Sequence, residues 1–170
     1  MDIINNSSLP YNDLLTIVNA INKSIPQVCL AWKKPVFEIS ISRKSKRAHI
    51  ILSDSVSSTY GYHTFLKGYA FGRVYLTKNL DYNSKIISHE VFEIIVNPRN
   101  ESRNEFQLEV CDPVMQNSFD VDGIQISDWV YPSWFSNQGR MPFNFLNTLK
   151  NPFEVSEGGY ILKTNMCSPT

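Results

Sequence analysis

The stretch from Asn83 to Pro98 constrains the fold more than any other part of this 170-residue chain. Asn83 or Ser84 can cap the start of a helix, because a short side-chain oxygen accepts hydrogen bonds from the free N–H groups of the first turn. Pro98 ends the helix, since the residue before a proline is disfavoured in the α region. The sequence therefore predicts a helix of about three and a half turns. Its buried stripe comprises Ile87, Val91, Ile94 and Ile95.

The polar face of this helix carries one imidazole and two carboxylates. His89 and Glu93 are four residues apart, so their side chains lie one above the other on the same face. This is the spacing of H-E-x-x-H zinc helices, with glutamate in place of the second histidine. Both side chains can reach a zinc ion at about 2.0–2.2 Å, which leaves Glu90 free to take a proton from a bound water. The alternative is a helix whose polar face only meets solvent, because this spacing alone is a weak pattern.

The sequence around this helix resembles that of zincin-like proteins found in bacteriophages and bacteria. The segment Ser88-His89-Glu90-Val91-Phe92-Glu93, followed by Asn97-Pro98, is similar to the family's Ser-His-Glu-hydrophobic-x-Glu-x-x-x-Asp-Pro segment. Further stretches match in the same order between about Leu14 and Tyr160, including Glu109-Val110-Cys111-Asp112-Pro113. This chain departs from the family at Asn97, where aspartate is usual, so the resemblance implies for this residue neither of that aspartate's roles, orienting the histidine or holding a second cation.

The order of predicted elements, with a helix, strands, the His89 helix and then irregular β segments, indicates an α+β fold. The resemblance implies a zincin-like single domain, in which a small mixed sheet packs on the active-site helix and the C-terminal half is irregular and β-rich. We expect a flexible arm at residues 1–10, this domain at 11–162 and a flexible tail at 163–170. The first helix should end at Pro26, and Asp54 to Gly72 should form a long loop that lines a site.

A zinc site needs further ligands, since a catalytic zinc usually has three protein ligands and an open position. Asp112 precedes a proline at a predicted strand end, where a side chain can turn towards a cleft, and Glu109 is the alternative. Cys111 could ligate as a thiolate, although a lone buried cysteine is more often a small apolar filler. His63, in the predicted loop, is a candidate for substrate binding, for ligation or for a purely structural role.

The charge balance and the termini narrow the choice of partners and compartment. Sixteen basic residues balance sixteen acidic ones, so we expect neither a nucleic-acid nor an anionic-membrane partner. A long uninterrupted apolar run is absent, as are the basic and apolar regions of a signal peptide, so we expect no membrane span or export. Three widely spaced cysteines fit neither a disulfide framework nor a zinc knuckle. Synthesis in a reducing host cytoplasm is the resulting expectation.

Two functional hypotheses remain open from the sequence. In the first, the chain is a zinc peptidase that cleaves a peptide or protein, with zinc on His89, Glu93 and either Asp112 or Glu109. Glu90 would then act as the base. In the second, the chain is a virion component of the tail, neck or capsid, which uses a zincin-like fold as a non-catalytic module. Its partners would then be other virion proteins or further copies of itself.

Overall fold

A five-stranded mixed sheet lies at the N-terminal side of the fold. The computed structural model describes residues 1–55, 57, 59–103 and 105–163. The strands are β1 (Asp2–Asn6), β2 (Ser40–Ser42), β3 (His49–Ser53), β4 (Gly61–Leu66) and β5 (Tyr69–Tyr75). Their order in the sheet is β2-β1-β3-β5-β4. All neighbouring strands are parallel except β4, which runs antiparallel to β5 and forms one edge.

The C-terminal half is irregular, with short strands and turns. Its strands are β6 (Ser102–Arg103), β7 (Phe106–Gln107), β8 (Ser118–Val121) and β9 (Ile124–Ser127), which form two small antiparallel pairs. Asp122 and Gly123 join β8 to β9 with φ angles of 54° and 82°. Positive φ at both central residues is what a type I′ hairpin turn requires, and Asp-Gly is a typical pair for that turn.

Two helices connect these parts, α1 (Tyr11–Trp32) and α2 (Leu80–Val96). Helix α2 packs against α1, β4, β5 and β9, and every residue from Asn83 to Val96 is buried. The predicted amphipathic helix is therefore covered on all sides. Its polar face does not meet bulk solvent but lines a cavity. The chain is α+β with a mixed sheet, as the sequence predicted.

The predicted N-terminal arm is wrong, because residues 2–6 form the interior strand β1. This strand pairs in parallel with β2 on one side and β3 on the other. Ile3 is fully buried and Ile4 nearly so. Burial of these isoleucines contributes about 1.5–3 kcal/mol for each side chain. That gain outweighs the unfavourable effect of placing the neighbouring polar residues in an interior strand. At the other end Lys163 bridges to Phe106, and the rest of the predicted tail lies outside the described residues.

Helix α1 continues through Pro26, where the sequence predicted its end. Ile25, Val28 and Cys29 are fully buried on its core face. A proline inside a helix costs about 3 kcal/mol, and the burial of these three side chains is of comparable or greater size. The helix therefore extends to Trp32, whose indole N–H donates to the carbonyl of Val130 over 3.1 Å.

The predicted long loop is also wrong over most of its length, because it contains β4 and the start of β5. Lys67 and Gly68 form the connecting turn, both with positive φ. A lysine is an unusual residue at such a turn position, which is why the hairpin was not apparent from the sequence. Val56 and Ser58 of the predicted loop lie outside the described residues. The correction matters because β4 carries His63 as part of a sheet.

Helix α1 is long and apolar enough to cross a membrane by length and composition alone. Half of its most apolar window is buried inside the fold. Core helices show the same combination, and α1 covers the sheet and contacts α2 as such a helix does. The absence of a membrane partner stays a prediction.

Candidate metal centre

Helix α2 is fixed at both ends and along one side. Its N-cap is Asn79, whose side-chain oxygen accepts from the N–H of Tyr82 over 3.0 Å, rather than Asn83 or Ser84 as predicted. The helix ends at Val96, as Pro98 predicted. Within the helix, the hydroxyl of Ser88 accepts from the backbone N–H of Ser127 in β9 over 2.9 Å. That bond ties this part of α2 to β9 and so helps to fix the position of the adjacent His89.

Two of the predicted metal ligands, Glu93 and Asp112, each place a carboxylate oxygen near the imidazole nitrogen of a third, His89. Nε2 of His89 lies 3.2 Å from Oε1 of Glu93 and 3.3 Å from Oδ1 of Asp112. Donor atoms around a tetrahedral zinc at about 2.0–2.1 Å are about 3.3–3.4 Å apart. All three side chains are buried. Each of the two pairs thus has the spacing of zinc ligands, whereas, among the described residues, the set of donor atoms that all lie within 4.8 Å of one another combines His89 and Glu93 with Cys111 and not with Asp112.

Asp112 reaches this cluster through the backbone of its neighbour. The N–H of Cys111 donates to Oε1 of Glu93 over 3.3 Å, which fastens the Cys111–Asp112 segment to α2. Asp112 then begins a short 3₁₀ turn, Asp112–Val114, rather than ending a strand as predicted. The role proposed for its carboxylate does not depend on that difference, because the turn still points the side chain towards His89.

Cys111 is itself close enough to be a ligand. Its sulfur, the ring of His89 and the carboxylate of Glu93 each place a donor atom within 4.8 Å of the others. Burial, reinforced by the charge of Glu93, raises the pKa of this thiol well above its ordinary value. Without a bound cation the side chain is therefore a neutral thiol, which agrees with the role of small apolar filler.

A second cluster lies on the other side of Glu93. Nδ1 of His63 is 3.6 Å from Oε2 of Glu90 and 3.6 Å from Oε2 of Glu93. These three side chains also place one donor atom each within 4.8 Å of the others. His63 comes from β4, so two different elements of the fold bring it and the helix carboxylates together.

Glu109 joins the second cluster rather than the first. Its Oε2 lies 3.8 Å from Nε2 of His63, and its Oε1 accepts from Nε2 of Gln107 over 2.5 Å. As an alternative third ligand beside His89 it is therefore less well placed than Asp112, whose oxygen lies 3.3 Å from that imidazole.

The charges in this cavity shift one another's pKa. Burial opposes charge on His63, but neighbouring carboxylates outweigh it and raise its pKa to about 11. They also raise the pKa of His89 well above its usual range. Burial, with the charge of Glu93, raises the pKa of Glu109 to about 9 and shifts that of Asp112 upwards. Although burial raises the pKa of Glu93, its two histidine neighbours hold it well below the usual range.

Three buried atoms of the ionisable groups in the cavity have no hydrogen-bond partner among the described residues. They are Nδ1 of His89, Oε2 of Glu90 and Oε2 of Glu109. Burial also raises the pKa of Glu90, although His63 opposes that shift. A buried polar group left without a partner costs about 1–3 kcal/mol, and more when it is charged. The four carboxylates and two imidazoles thus form an incomplete polar network, which a bound cation would complete.

The cavity that contains these groups has a volume of about 360 Å³. Besides the ionisable groups, its wall includes tyrosines and apolar side chains, namely Tyr60, Tyr62, Tyr160, Ile86, Met115 and Leu162. Gly61 forms one side at close range. A Cβ added there would lie 2.4 Å from Oε1 of Glu90, so a larger residue would require this carboxylate to move.

Tyr160 is a site residue that the sequence did not single out. Its backbone N–H donates to the carbonyl of Asp112 over 3.1 Å, and its hydroxyl favours the charged form of the Asp112 carboxyl, which opposes the upward shift of that pKa. Gly159 permits this contact, since a Cβ there would lie 2.2 Å from the carbonyl oxygen of Pro113. The Gly158-Gly159-Tyr160 stretch was the available signal, because paired glycines indicate close backbone approach.

Asn97 has a structural role that aspartate could not fill. Its amide donates to the carbonyls of Glu101 and Leu108, each over 2.9 Å, and its oxygen accepts from the N–H of Glu101 over 2.8 Å. A carboxylate has no hydrogen to donate. Asparagine at this position therefore stabilises the turn between α2 and the C-terminal half. The backbone carbonyl oxygen of Asn97 also lies 3.3 Å from Nε2 of His63.

The structure thus brings every predicted site residue into one cavity, with buried histidine, glutamate and cysteine groups that could hold a metal ion. Comparison of the chain with protein-family models, with curated proteins and with solved structures gave no match. The resemblance to zincin-like proteins stays a prediction, and function is inferred from the geometry of the cavity.

Proposed function

We propose that this chain is a zinc-dependent peptidase with a zincin-like fold. The observation that carries the proposal is the spacing around Nε2 of His89, which has Glu93 and Asp112 oxygens at 3.2 and 3.3 Å. The carboxylate of Glu90 lies in the same cavity without a hydrogen-bond partner for its Oε2 among the described residues. The proposal thus rests on candidate ligands, a candidate base and room for a substrate in one cavity.

Zinc fits this donor set better than magnesium or calcium does. Zinc binds imidazole nitrogen and carboxylate oxygen at about 2.0–2.2 Å, whereas calcium and magnesium prefer oxygen alone. The bound ion would be held by His89, Glu93 and Asp112. Two carboxylate ligands neutralise a dication more fully than two imidazoles would, so we expect slower hydrolysis than at a two-histidine site.

The chain's own residues account for proton transfer. When bound, zinc supplies Lewis acidity and lowers the pKa of water to about 7. Glu90 accepts the proton of the attacking water and passes it to the leaving nitrogen. The backbone of Gly61 holds the Glu90 side chain from one side. The backbone N–H of Tyr160 donates to the carbonyl of Asp112 and so helps to position the residue whose carboxylate faces His89.

An extended peptide suits the shape of the cavity. Strand β4 is at the edge of the sheet, and no other described strand pairs with its outer side. An edge strand can bind an extended chain through its free backbone groups. Tyr60 and Tyr62 stand at the cavity wall near the start of β4, where they can contact substrate side chains.

Two measurements on purified protein test this function. The first is zinc content after purification without chelators, which we expect to be about one tight equivalent per chain. The second is zinc-dependent cleavage of casein or a mixed peptide library. Protein without metal that also fails to rebind zinc would overturn the proposal. Tight zinc without hydrolysis would favour the non-catalytic virion module, and a sizing column would then show whether rings assemble.

A further inference from the structure

We propose that the cavity has a second divalent-cation site at His63, Glu90 and Glu93, and that a cation bound there inhibits hydrolysis by occupying Glu90. This inference rests on the proposed function, because it assigns Glu90 as the base and Glu93 as a ligand of the first cation. The second ion would be of the zinc class, since its donors combine an imidazole with carboxylates.

The carboxylate of Glu93 faces two imidazoles in opposite directions. Its Oε1 lies 3.2 Å from Nε2 of His89, and its Oε2 lies 3.6 Å from Nδ1 of His63. A carboxylate whose two oxygens face separate donor groups can serve a different cation with each oxygen. Glu93 is therefore placed to belong to both sites.

His63 has the hydrogen-bond partner that a ligating histidine usually has. Its Nε2 lies 3.3 Å from the backbone carbonyl oxygen of Asn97. That oxygen can only accept, so Nε2 carries a hydrogen and donates it. Histidine ligands commonly bond a carbonyl in this way, which fixes the ring and aims the other nitrogen at the metal. Here the other nitrogen, Nδ1, points at Glu90 and Glu93.

Glu90 is a buried carboxylate whose Oε2 faces His63 at ion-pair distance without a closer hydrogen bond among the described residues. The residue is 3% exposed, and its Oε2 has no hydrogen-bond partner among the described residues. The same atom lies 3.6 Å from Nδ1 of His63. Donor atoms around a cation at about 2.0–2.2 Å are about 3.3–3.6 Å apart in a tetrahedral set. The three side chains thus have the spacing of ligands.

The charge of the cavity leaves room for a second dication. One zinc ion on His89, Glu93 and Asp112 balances the two carboxylates of that set. Glu90 and Glu109 then remain as further buried acidic groups. A cation at His63 and Glu90 would compensate the carboxylate of Glu90 at the cost of function, because an oxygen that ligates a cation no longer accepts a proton.

Zinc titration of metal-stripped protein by calorimetry tests this inference. We expect the parent to bind two equivalents, the second more weakly than the first. His63→Gln should bind one, whereas His49→Gln should still bind two. His49 is a matched control, since it is a buried strand histidine of the same sheet outside the cavity. If circular dichroism shows that His63→Gln is unfolded, Glu90→Gln takes its place and should also bind one.

Each outcome separates this inference from the proposed function. A parent that binds one equivalent overturns the second site and leaves the peptidase proposal intact, whereas a parent that binds none overturns both. Two equivalents in folded His63→Gln overturn the assignment of ligands. In the parent, hydrolysis should fall by about 10²-fold or more as the second equivalent binds. Unchanged hydrolysis at two equivalents overturns the inhibitory role.

Discussion

The backbone N–H of Cys111 donates to the carboxylate of Glu93, and this bond ties the Cys111–Asp112 segment to the helix that carries the cluster. It uses the same oxygen, Oε1, that lies 3.2 Å from His89. Because Asp112 follows Cys111 directly, the bond also delivers Asp112 to the imidazole. Glu93 therefore lies where it can both hold this segment and ligate a metal ion, and its replacement tests the second role.

Replacement of Glu93 by alanine should weaken binding of the first zinc ion far more than replacement of His63 by alanine does. Loss of a residue that only supports a metal ligand typically costs 10–100-fold in affinity, so loss of Glu93 itself should exceed about 100-fold. His63→Ala should leave the tight equivalent within about tenfold of the parent. Competition with a zinc chelator measures both values, and the exposed Glu38→Ala serves as control. Equal or reversed losses would show that the ligand set is wrong.

Glu90→Gln should separate chemistry from metal binding. Glutamine is nearly isosteric with glutamate but is not a useful base at neutral pH. We therefore expect a folded variant that holds the first zinc as tightly as the parent and loses about 10²–10⁴-fold in hydrolysis. Zinc content and kcat/KM on one peptide are the two readouts. A variant that loses its first zinc ion would instead make Glu90 a ligand of that ion.

Asn97→Asp should destabilise the fold, although aspartate is the residue that the resembled family has there. The amide of Asn97 donates to two carbonyls and is 2% exposed. Aspartate would leave both carbonyls unsatisfied and bury a charge, which should cost about 1–3 kcal/mol or more. Urea unfolding measures the loss. The exposed Asn137→Asp is the control and should change stability by less than about 0.5 kcal/mol. Equal stability of the two variants would contradict this role of Asn97.

Asp2→Asn should destabilise the protein at neutral pH and matter less in acid. Arg47 donates to both oxygens of Asp2 over 2.6 and 2.9 Å, and with Ser45 and Ser40 it holds the pKa of this carboxyl well below its usual range. A carboxyl with a lowered folded-state pKa stabilises the fold above its unfolded-state pKa of about 4. That contribution is lost as pH falls towards the folded-state pKa.

Urea unfolding of the parent and of Asp2→Asn at pH 7, 5 and 3 measures this dependence. The difference in unfolding free energy should be largest at pH 7 and pH 5 and should shrink at pH 3. A difference that stays constant over the three pH values would mean that the charge of Asp2 contributes nothing through Arg47. The outcome bears on the sheet, because Asp2 begins its interior strand.

The expected positions of His89, Glu90 and Glu93 could be derived from the sequence because they depend on short-range geometry. Residues four apart on a helix share a face whatever surrounds them. The end of α2 before Pro98 and the Asp122-Gly123 turn are local in the same sense, since each follows from the allowed φ and ψ of one or two residues. Such features need no knowledge of the rest of the chain.

Only the tertiary structure decided which distant residues meet these three. His63 and Asp112 reach the helix through a β-hairpin and through the Cys111 N–H, and Tyr160 arrives through a close approach of Gly159 to Pro113. The interior position of β1 and the extension of α1 past Pro26 likewise depend on burial against residues far away in sequence. Burial energy acts between surfaces that meet only after folding, so local sequence patterns do not encode those contacts.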